Sequence, residues 1–302
     1  MFHKFIGPST HLLRGASNIL DSMLLSNRIL YNIQNTIEKN NYNIMLNSVI
    51  VGDNKDSQKY INIKKRVCER LNIRNEVLRF DKSITENELI DRITDINADD
   101  NVHGLLIQSP LPRHIDSYNI FSIINKKKDV DCFNPINIGN LYYNRNSVSP
   151  CTPRGILTLL DYYNIEVRGK NIVIIGSSNI VGKPLSILLS NRDATPILCN
   201  IETNNIRALT RKADIIISAC GQKEIVDRTW IGKNKPVIID VGCNIVNGKM
   251  YGDVNFKDVL YHVSGITPVP GGIGPMTISM LMLNILELYE KYHIQKNMAS
   301  II

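Results

Sequence analysis

Tyr60 and Lys64 stand four residues apart in Ser57-Gln-Lys-Tyr-Ile-Asn-Ile-Lys64, a spacing that brings two side chains onto one face of a helix. A lysine ammonium that loses part of its hydration beside a hydrogen-bonding neighbour exchanges protons near neutral pH. The same spacing is common on solvated helix faces with a snorkelling lysine, so the pair gains meaning only from its company. Gln108 in Gln108-Ser-Pro110-Leu-Pro112 supplies an amide, and Asp131 in Asp129-Val-Asp131-Cys-Phe133 a carboxylate. Each falls in a loop after an element of the first half, where an isolated Asp is ordinarily a turn or cap residue.

Two glycine-bearing segments form a second set. Gly176-Ser-Ser178-Asn-Ile-Val-Gly182 follows an apolar run and opens a helix, which is where a dinucleotide's pyrophosphate meets backbone N–H groups and a positive helix end. A G-x-G-x-x-G fingerprint needs glycines at 178 and 181, where Ser178 and Val181 stand, so a tight turn with helix entry explains the loop equally well. Thr267-Pro-Val-Pro270-Gly271-Gly272-Ile-Gly274-Pro275-Met-Thr277 is more specific, with three glycines and three prolines in eleven residues. The prolines stiffen the path into a helix start, and the bare glycines let a flat ligand approach the main chain. Asp240-Val-Gly242-Cys243-Asn244 closes another strand, with its polar groups expected to face the same crevice.

The elements that must carry these residues alternate. A helix is expected over 20–39, a strand over 48–51, the helix of Tyr60 and Lys64, a strand over 76–80, a helix opened by Thr85-x-x-Glu88, and a buried strand over 104–108. This βαβαβ succession implies a mainly parallel sheet whose ligands lie beyond the strands' carboxyl ends, where Gln108 falls. Pro150-Cys-Thr-Pro153 breaks the periodicity, starts a helix through 155–163 and marks a domain crossing near residue 150. A second unit follows, with strands over 170–175, 196–199, 215–219 and 237–241 and a helix over 184–190. The expected fold is α/β, with one α/β domain over 19–150 and another over 151–295.

The 302 residues are 43% hydrophobic with mean hydropathy −0.08, too long for one modest core. No apolar run approaches the roughly 20 residues of a membrane helix, so no membrane partner is expected. Six cysteines and six histidines are scattered without C-x-x-C spacing, so neither a zinc site nor a disulfide framework is expected, and a reducing compartment fits. The net charge of +7 permits an anionic partner. The basic residues are dispersed, which favours a small acidic metabolite over nucleic acid. Lys126-Lys127-Lys128, the compact run, reads as a solvated loop. Residues 1–18 carry His3, Lys4, His11 and Arg14 with no acid before Asp21; this is the look of a flexible leader or an organellar presequence, with cytoplasmic placement expected in the first case.

Taken in order, from about residue 19 to 293, these segments resemble the bifunctional methylenetetrahydrofolate dehydrogenase/cyclohydrolase family. The resemblance is carried by Tyr60/Lys64, Gln108-x-Pro-Leu-Pro112, Asp129-Val-Asp131 and Pro268-Val-Pro-Gly-Gly-Ile-Gly-Pro-Met-Thr277. It implies a folate-binding catalytic domain and a Rossmann-like NAD(P) domain with the active-site cleft between them. The last helix, about 275–293, would return to the first domain, and the enzyme would be a homodimer. Lys64 becomes the catalytic lysine, Tyr60 the folate-positioning tyrosine, Gln108 the amide that orients the lysine, and Asp131 the carboxylate that holds the pterin. Pro270, Gly271 and Gly272 become substrate-binding. Gly176, Ser177, Ser178, Ile180, Val181, Gly182, Thr203, Cys243 and Asn244 become cofactor-binding. The implied reactions are NAD(P)-dependent oxidation of 5,10-methylenetetrahydrofolate and hydrolysis of the methenyl product to 10-formyltetrahydrofolate. A member with one activity, or a non-catalytic binding protein of the same fold, is the alternative.

Three positions depart from the family pattern. Cys132 and Asn134 stand where glycine and histidine are frequent, and Ser177 where some relatives carry arginine. NADP is the family's commoner cofactor. Glu202, about two dozen residues beyond Gly176, suits instead a ribose 2′-hydroxyl and hence NAD.

Overall fold

The computed structural model describes residues 18–52, 55–145 and 148–294, without side chains for 55–60. Residues 1–17, in the stretch read as a leader or presequence, and the side chain of Tyr60 therefore lie outside the described residues. The chain divides into two compact units, Leu30–Cys151 with Leu281–Ile302, and Met1–Ile29 with Thr152–Met280. Among the described residues no helix is long and apolar enough to cross a membrane.

Helix α1 (Met23–Asn40) contributes to both units. In the unit containing Lys64 there follow β1 (Met45–Val51), α2 (Lys55–Arg70), β2 (Arg74–Phe80), α3 (Glu86–Ala98), β3 (Gly104–Ile107), α4 (Ser117–Ile123) and α5 (Pro135–Tyr142). The three strands form a parallel sheet in the order β2-β1-β3, with Val49 facing both Leu78 and Ile107 across the ladder. Central β1 is buried over nearly its whole length, whereas edge strand β2 alternates, as expected of strands covered on two faces and on one. Val49, Leu89, Ile93, Leu105, Ile107 and Ile120 belong to the core beneath. Thr85 and Glu88 form the expected capping box, the Thr85 hydroxyl accepting from Glu88 N–H and the Glu88 carboxylate from Thr85 N–H.

The lysine run corrects the solvated-loop expectation. Lys126 and Lys127 are exposed, but Lys128 is 4% exposed. Its ammonium donates to the carbonyls of Ile96 (3.0 Å), Asn97 (2.8 Å) and Asp99 (2.6 Å). The Ile96 and Asn97 carbonyls are among those that the end of α3 leaves without helical partners, and a cation there also meets the negative end of the helix dipole. Lys128→Met keeps the stem and strips the donors; chemical denaturation is expected to show a loss of about 2–3 kcal/mol.

The other unit continues with α6 (Cys151–Tyr162), β4 (Asn171–Ile175), α7 (Gly182–Ser190), β5 (Thr195–Cys199), α8 (Ile206–Thr210), β6 (Ile215–Ser218) and β7 (Val237–Asp240). A hairpin of β8 (Asn244–Val246) and β9 (Lys249–Tyr251), short α9 (Phe256–Val259) and β10 (Gly265–Ile266) follow. Helix α10 (Ile273–Tyr289) follows and runs on into a π-helical turn, Glu290–Ile294, its residues from Leu281 onward belonging to the Lys64 unit. The main sheet is parallel, ordered β10-β7-β6-β4-β5. From β4 the chain proceeds to β5 on one side and then to β6 on the other. The crevice at such a reversal, beyond the carboxyl ends of β4 and β6, is where open α/β sheets take ligands. The three-stranded sheet has the same kind of reversal between β1 and β3.

Candidate active site

Lys64 sits in the third turn of α2, and Gln108 directly follows β3, its N–H still donating to Val49 C=O (2.9 Å). The ladder therefore fixes where the Gln108 amide leaves the sheet. Lys64 Nζ donates to Gln108 Oε1 at 3.0 Å, while Gln108 Nε2 donates to Ser109 C=O at 2.9 Å. The second bond turns the amide so that its oxygen meets the lysine. Burial pushes the Lys64 pKa down, opposed chiefly by the Asp131 carboxylate.

Asp131 reaches this group through the segment after Lys128, which runs beside β3. Leu105 N–H donates to Lys128 C=O (2.7 Å), and Leu105 pairs with Asp129 as a parallel bridge. The two carboxylates of Asp129-Val-Asp131 thereby take different tasks. Asp129 is 1% exposed and accepts from Phe133 N–H (3.0 Å), Asn134 N–H (2.9 Å) and Asn137 Nδ2 (2.8 Å), which folds the loop around it. Burial outweighs these bonds and pushes its pKa up to about 6. Burial also pushes Asp131 up, opposed by the Lys64 charge and a hydrogen bond from Cys151. Lys64 and Asp131 are thus both displaced toward neutrality by lost hydration, and each favours the other's charged form.

The two departures in this loop have structural explanations. Cys132 has φ +60°, a left-handed conformation that glycine adopts without strain and that accounts for a glycine preference. Asn134 caps α5, its Oδ1 accepting from Ile136 N–H (2.8 Å) and its Nδ2 donating to Ile124 C=O (2.8 Å). Asn284 was missed from the sequence. It is fully buried on α10 and donates through Nδ2 to Val130 C=O (2.7 Å) and Ser149 C=O (2.9 Å), holding the Asp131 loop. A lone amide in the otherwise apolar run from 280 to 286 was its only sequence signal.

On the other unit, Gly176 follows β4 with φ +115°, and a Cβ there would strike the Ala219 carbonyl after β6. A Cβ on Gly182 would strike the Gly176 carbonyl. Both glycines are therefore required by close backbone crossings at the β4/β6 reversal. Ser178 closes the turn: its Oγ accepts from Val181 N–H (3.2 Å) and its carbonyl from Lys183 N–H (3.0 Å). Helix α7 begins after Val181 with no side-chain cap. Ser178 and Ile180 are exposed, and Ser177 and Val181 half-buried.

Thr203 lies in the turn after β5 and accepts from Asn200 N–H (2.9 Å), with Glu202 exposed beside it. Cys243 is exposed. Asn244 Nδ2 donates to Asp253 Oδ1 (3.0 Å). Asp240 differs from expectation. Its carboxylate is buried and accepts from Gly242 N–H (2.9 Å), Asp253 N–H (2.9 Å) and Val254 N–H (3.0 Å), so its charge faces the interior and not the crevice. Burial pushes its pKa up to about 7.

Gly271 has φ +105°, and a Cβ on Gly272 would meet the Pro268 carbonyl. Ser22 N–H and Oγ donate to Gly271 C=O at 3.0 and 2.9 Å, and Ser22 Oγ also meets Gly272 C=O. The loop's carbonyls are thus tied down while exposed Pro270 stands out. The glycines are explained here by backbone geometry, independently of any flat ligand.

Comparison with known proteins identifies the family. Residues 20–131 match the family model of the tetrahydrofolate dehydrogenase/cyclohydrolase catalytic domain, and residues 150–293 that of its NAD(P)-binding domain. The bifunctional protein FolD of Sulfurihydrogenibium sp. (strain YO3AOP1) is 42% identical over 269 residues, covering 88% of this chain and 94% of the relative. The crystal structure of the FolD enzyme from Campylobacter jejuni superposes with a TM-score of 0.86 at 41% identity, over 90% of this chain and 98% of that one. That of Trypanosoma brucei FolD, complexed with NADP and an inhibitor, gives 0.86 at 31% identity, over 90% and 97%. Two domain models in tandem and near-full-length relatives above 40% identity lead to one conclusion: this chain belongs to the tetrahydrofolate dehydrogenase/cyclohydrolase family.

Proposed function

We propose that this protein oxidises 5,10-methylenetetrahydrofolate to the methenyl cation with a nicotinamide dinucleotide and hydrolyses that cation to 10-formyltetrahydrofolate. The observation that carries the reading is the half-buried Lys64 amine held at 3.0 Å by an oriented Gln108 amide, in the electrostatic reach of Asp131. One N–H of the lysine is committed to Gln108. The lowered pKa makes a neutral amine available to take the proton from the water that adds to the methenyl carbon. Asp131, held by the Lys128–Asn134 loop, grips the polar edge of the pterin with charge-assisted hydrogen bonds. Tyr60, one helical turn before Lys64, positions the folate ring.

The dinucleotide fits the loop after β4. Gly176 and Gly182 let the turn after β4 fold tightly against its neighbours, and α7 offers an N-terminus without a side-chain cap to the pyrophosphate. When bound, the nicotinamide supplies the hydride acceptor. We assign Ser177, Ser178, Ile180 and Val181 to this contact, with Thr203, Cys243 and Asn244 on the neighbouring loops. NADP is the proposed cofactor, supported by its presence in the T. brucei relative. NAD is the second reading, because exposed Glu202 follows β5 and no Lys or Arg occurs from 200 to 206.

A paired assay decides among these. With NADP and, separately, with NAD, reduced nicotinamide and decay of the methenyl chromophore are followed together. Both signals are expected, with the larger kcat/KM for NADP. Reduction without methenyl decay would leave a dehydrogenase alone, and decay without reduction a cyclohydrolase alone.

A further inference from the structure

Asp253 lies just after β9, fully buried, and gathers more hydrogen bonds than any side chain of the proposed site. Its Oδ2 accepts from Cys220 N–H (2.8 Å), Gly221 N–H (3.2 Å), Ser218 Oγ (3.2 Å) and Cys220 Sγ (3.4 Å). Its Oδ1 accepts from Gln222 N–H (2.9 Å) and Asn244 Nδ2 (3.0 Å). Its own N–H is held by Asp240 Oδ1 (2.9 Å) and its carbonyl by Val226 N–H (3.0 Å). Three successive backbone N–H groups converging on one anion form a nest, and here the anion is internal.

These donors come from the carboxyl ends of the sheet: Ser218 at the end of β6, the 219–222 loop after it, and Asn244, which opens β8 after β7. The 219–222 loop backs Ala219 C=O directly against Gly176, the opening residue of the loop after β4. We propose that Asp253 is a positioning residue for the dinucleotide crevice: its carboxylate sets the 219–222 and 241–244 loops and, through Ala219, the path of the Gly176 turn. This rests on reading the unit as dinucleotide-binding. The carboxylate itself is turned away from solvent and touches no ligand. It acts by holding walls that would otherwise have to be ordered at the moment of binding.

Asp253→Asn preserves size but sets an NH₂ group against existing donors in either orientation, since both oxygens accept from at least two. The readout is the NADP dissociation constant by titration calorimetry on the full chain, alongside methenyltetrahydrofolate hydrolysis, which needs no dinucleotide. The expected result is a dissociation constant raised about 30-fold with the hydrolytic kcat within about twofold of wild type. Amide exchange should accelerate at Cys220, Gly221 and Gln222. A folded Asp253→Asn protein with unchanged NADP affinity would overturn the proposal. If that variant does not fold, Ser218→Ala, which removes a single donor, decides: an affinity loss of about threefold at unchanged hydrolysis supports the assignment, and unchanged affinity overturns it. A wild-type chain that binds neither NADP nor NAD would instead sink the functional reading.

Discussion

Lys64→Met is expected to lower hydrolysis of the methenyl substrate by about 10²–10⁴-fold, the usual contribution of a positioned acid–base group. Methionine retains the length and apolar stem of lysine, so the half-buried position on α2 stays filled and the unit stays folded. What disappears is the amine at 3.0 Å from Gln108. The pH dependence follows from the direction of the shift. Burial favours the neutral amine, so that form appears at lower pH than on an exposed lysine, and hydrolysis should rise with pH until the amine is fully deprotonated. The Met variant should lose that limb of the profile. Stopped-flow decay of the methenyl chromophore across pH measures both, and wild-type hydrolysis in the variant would remove Lys64 from the reaction.

Gly176→Val has the complementary consequence. At φ +115° a β-branched side chain is strained by about 1–3 kcal/mol, and its Cβ meets the Ala219 carbonyl in addition. Relief requires separating the ends of β4 and β6, which opens the turn that leads into α7. Dinucleotide affinity is expected to fall about 100-fold, equivalent to ~2.7 kcal/mol, while hydrolysis at Lys64 persists. Titration calorimetry with NADP and the chromophore assay separate the two losses. Equal affinity in the variant would show that the loop after β4 is not the pyrophosphate site.

Much of this was legible along the chain because it is local. The capping box at Thr85 and Glu88, the buried strands over 104–107 and 171–175 and the loop from Gly176 to Gly182 are each specified by residues within a few positions of one another. Periodicity placed α2 and its Tyr60/Lys64 pair, and the motifs in series carried the family resemblance. Boundaries shifted where propensity and packing compete. The helix after the Pro150 break begins at Cys151, since a proline in the first turn costs a helix no hydrogen bond. The short α4, α5 and α8 and the β8–β9 hairpin are too brief to show a period.

The sequence by itself determined the two-part α/β order, the chemistry-bearing residue types and the glycines at the tight turns, because propensity, capping and backbone strain act over a few bonds. Only the tertiary structure decided that Asp129 is spent on folding its own loop, and that Lys128 caps α3. It likewise turned Asp240 inward and gathered the donors around Asp253. Desolvation and hydrogen-bond geometry depend on what packs around a group from distant parts of the chain, and spacing along one strand of residues carries no record of that neighbourhood.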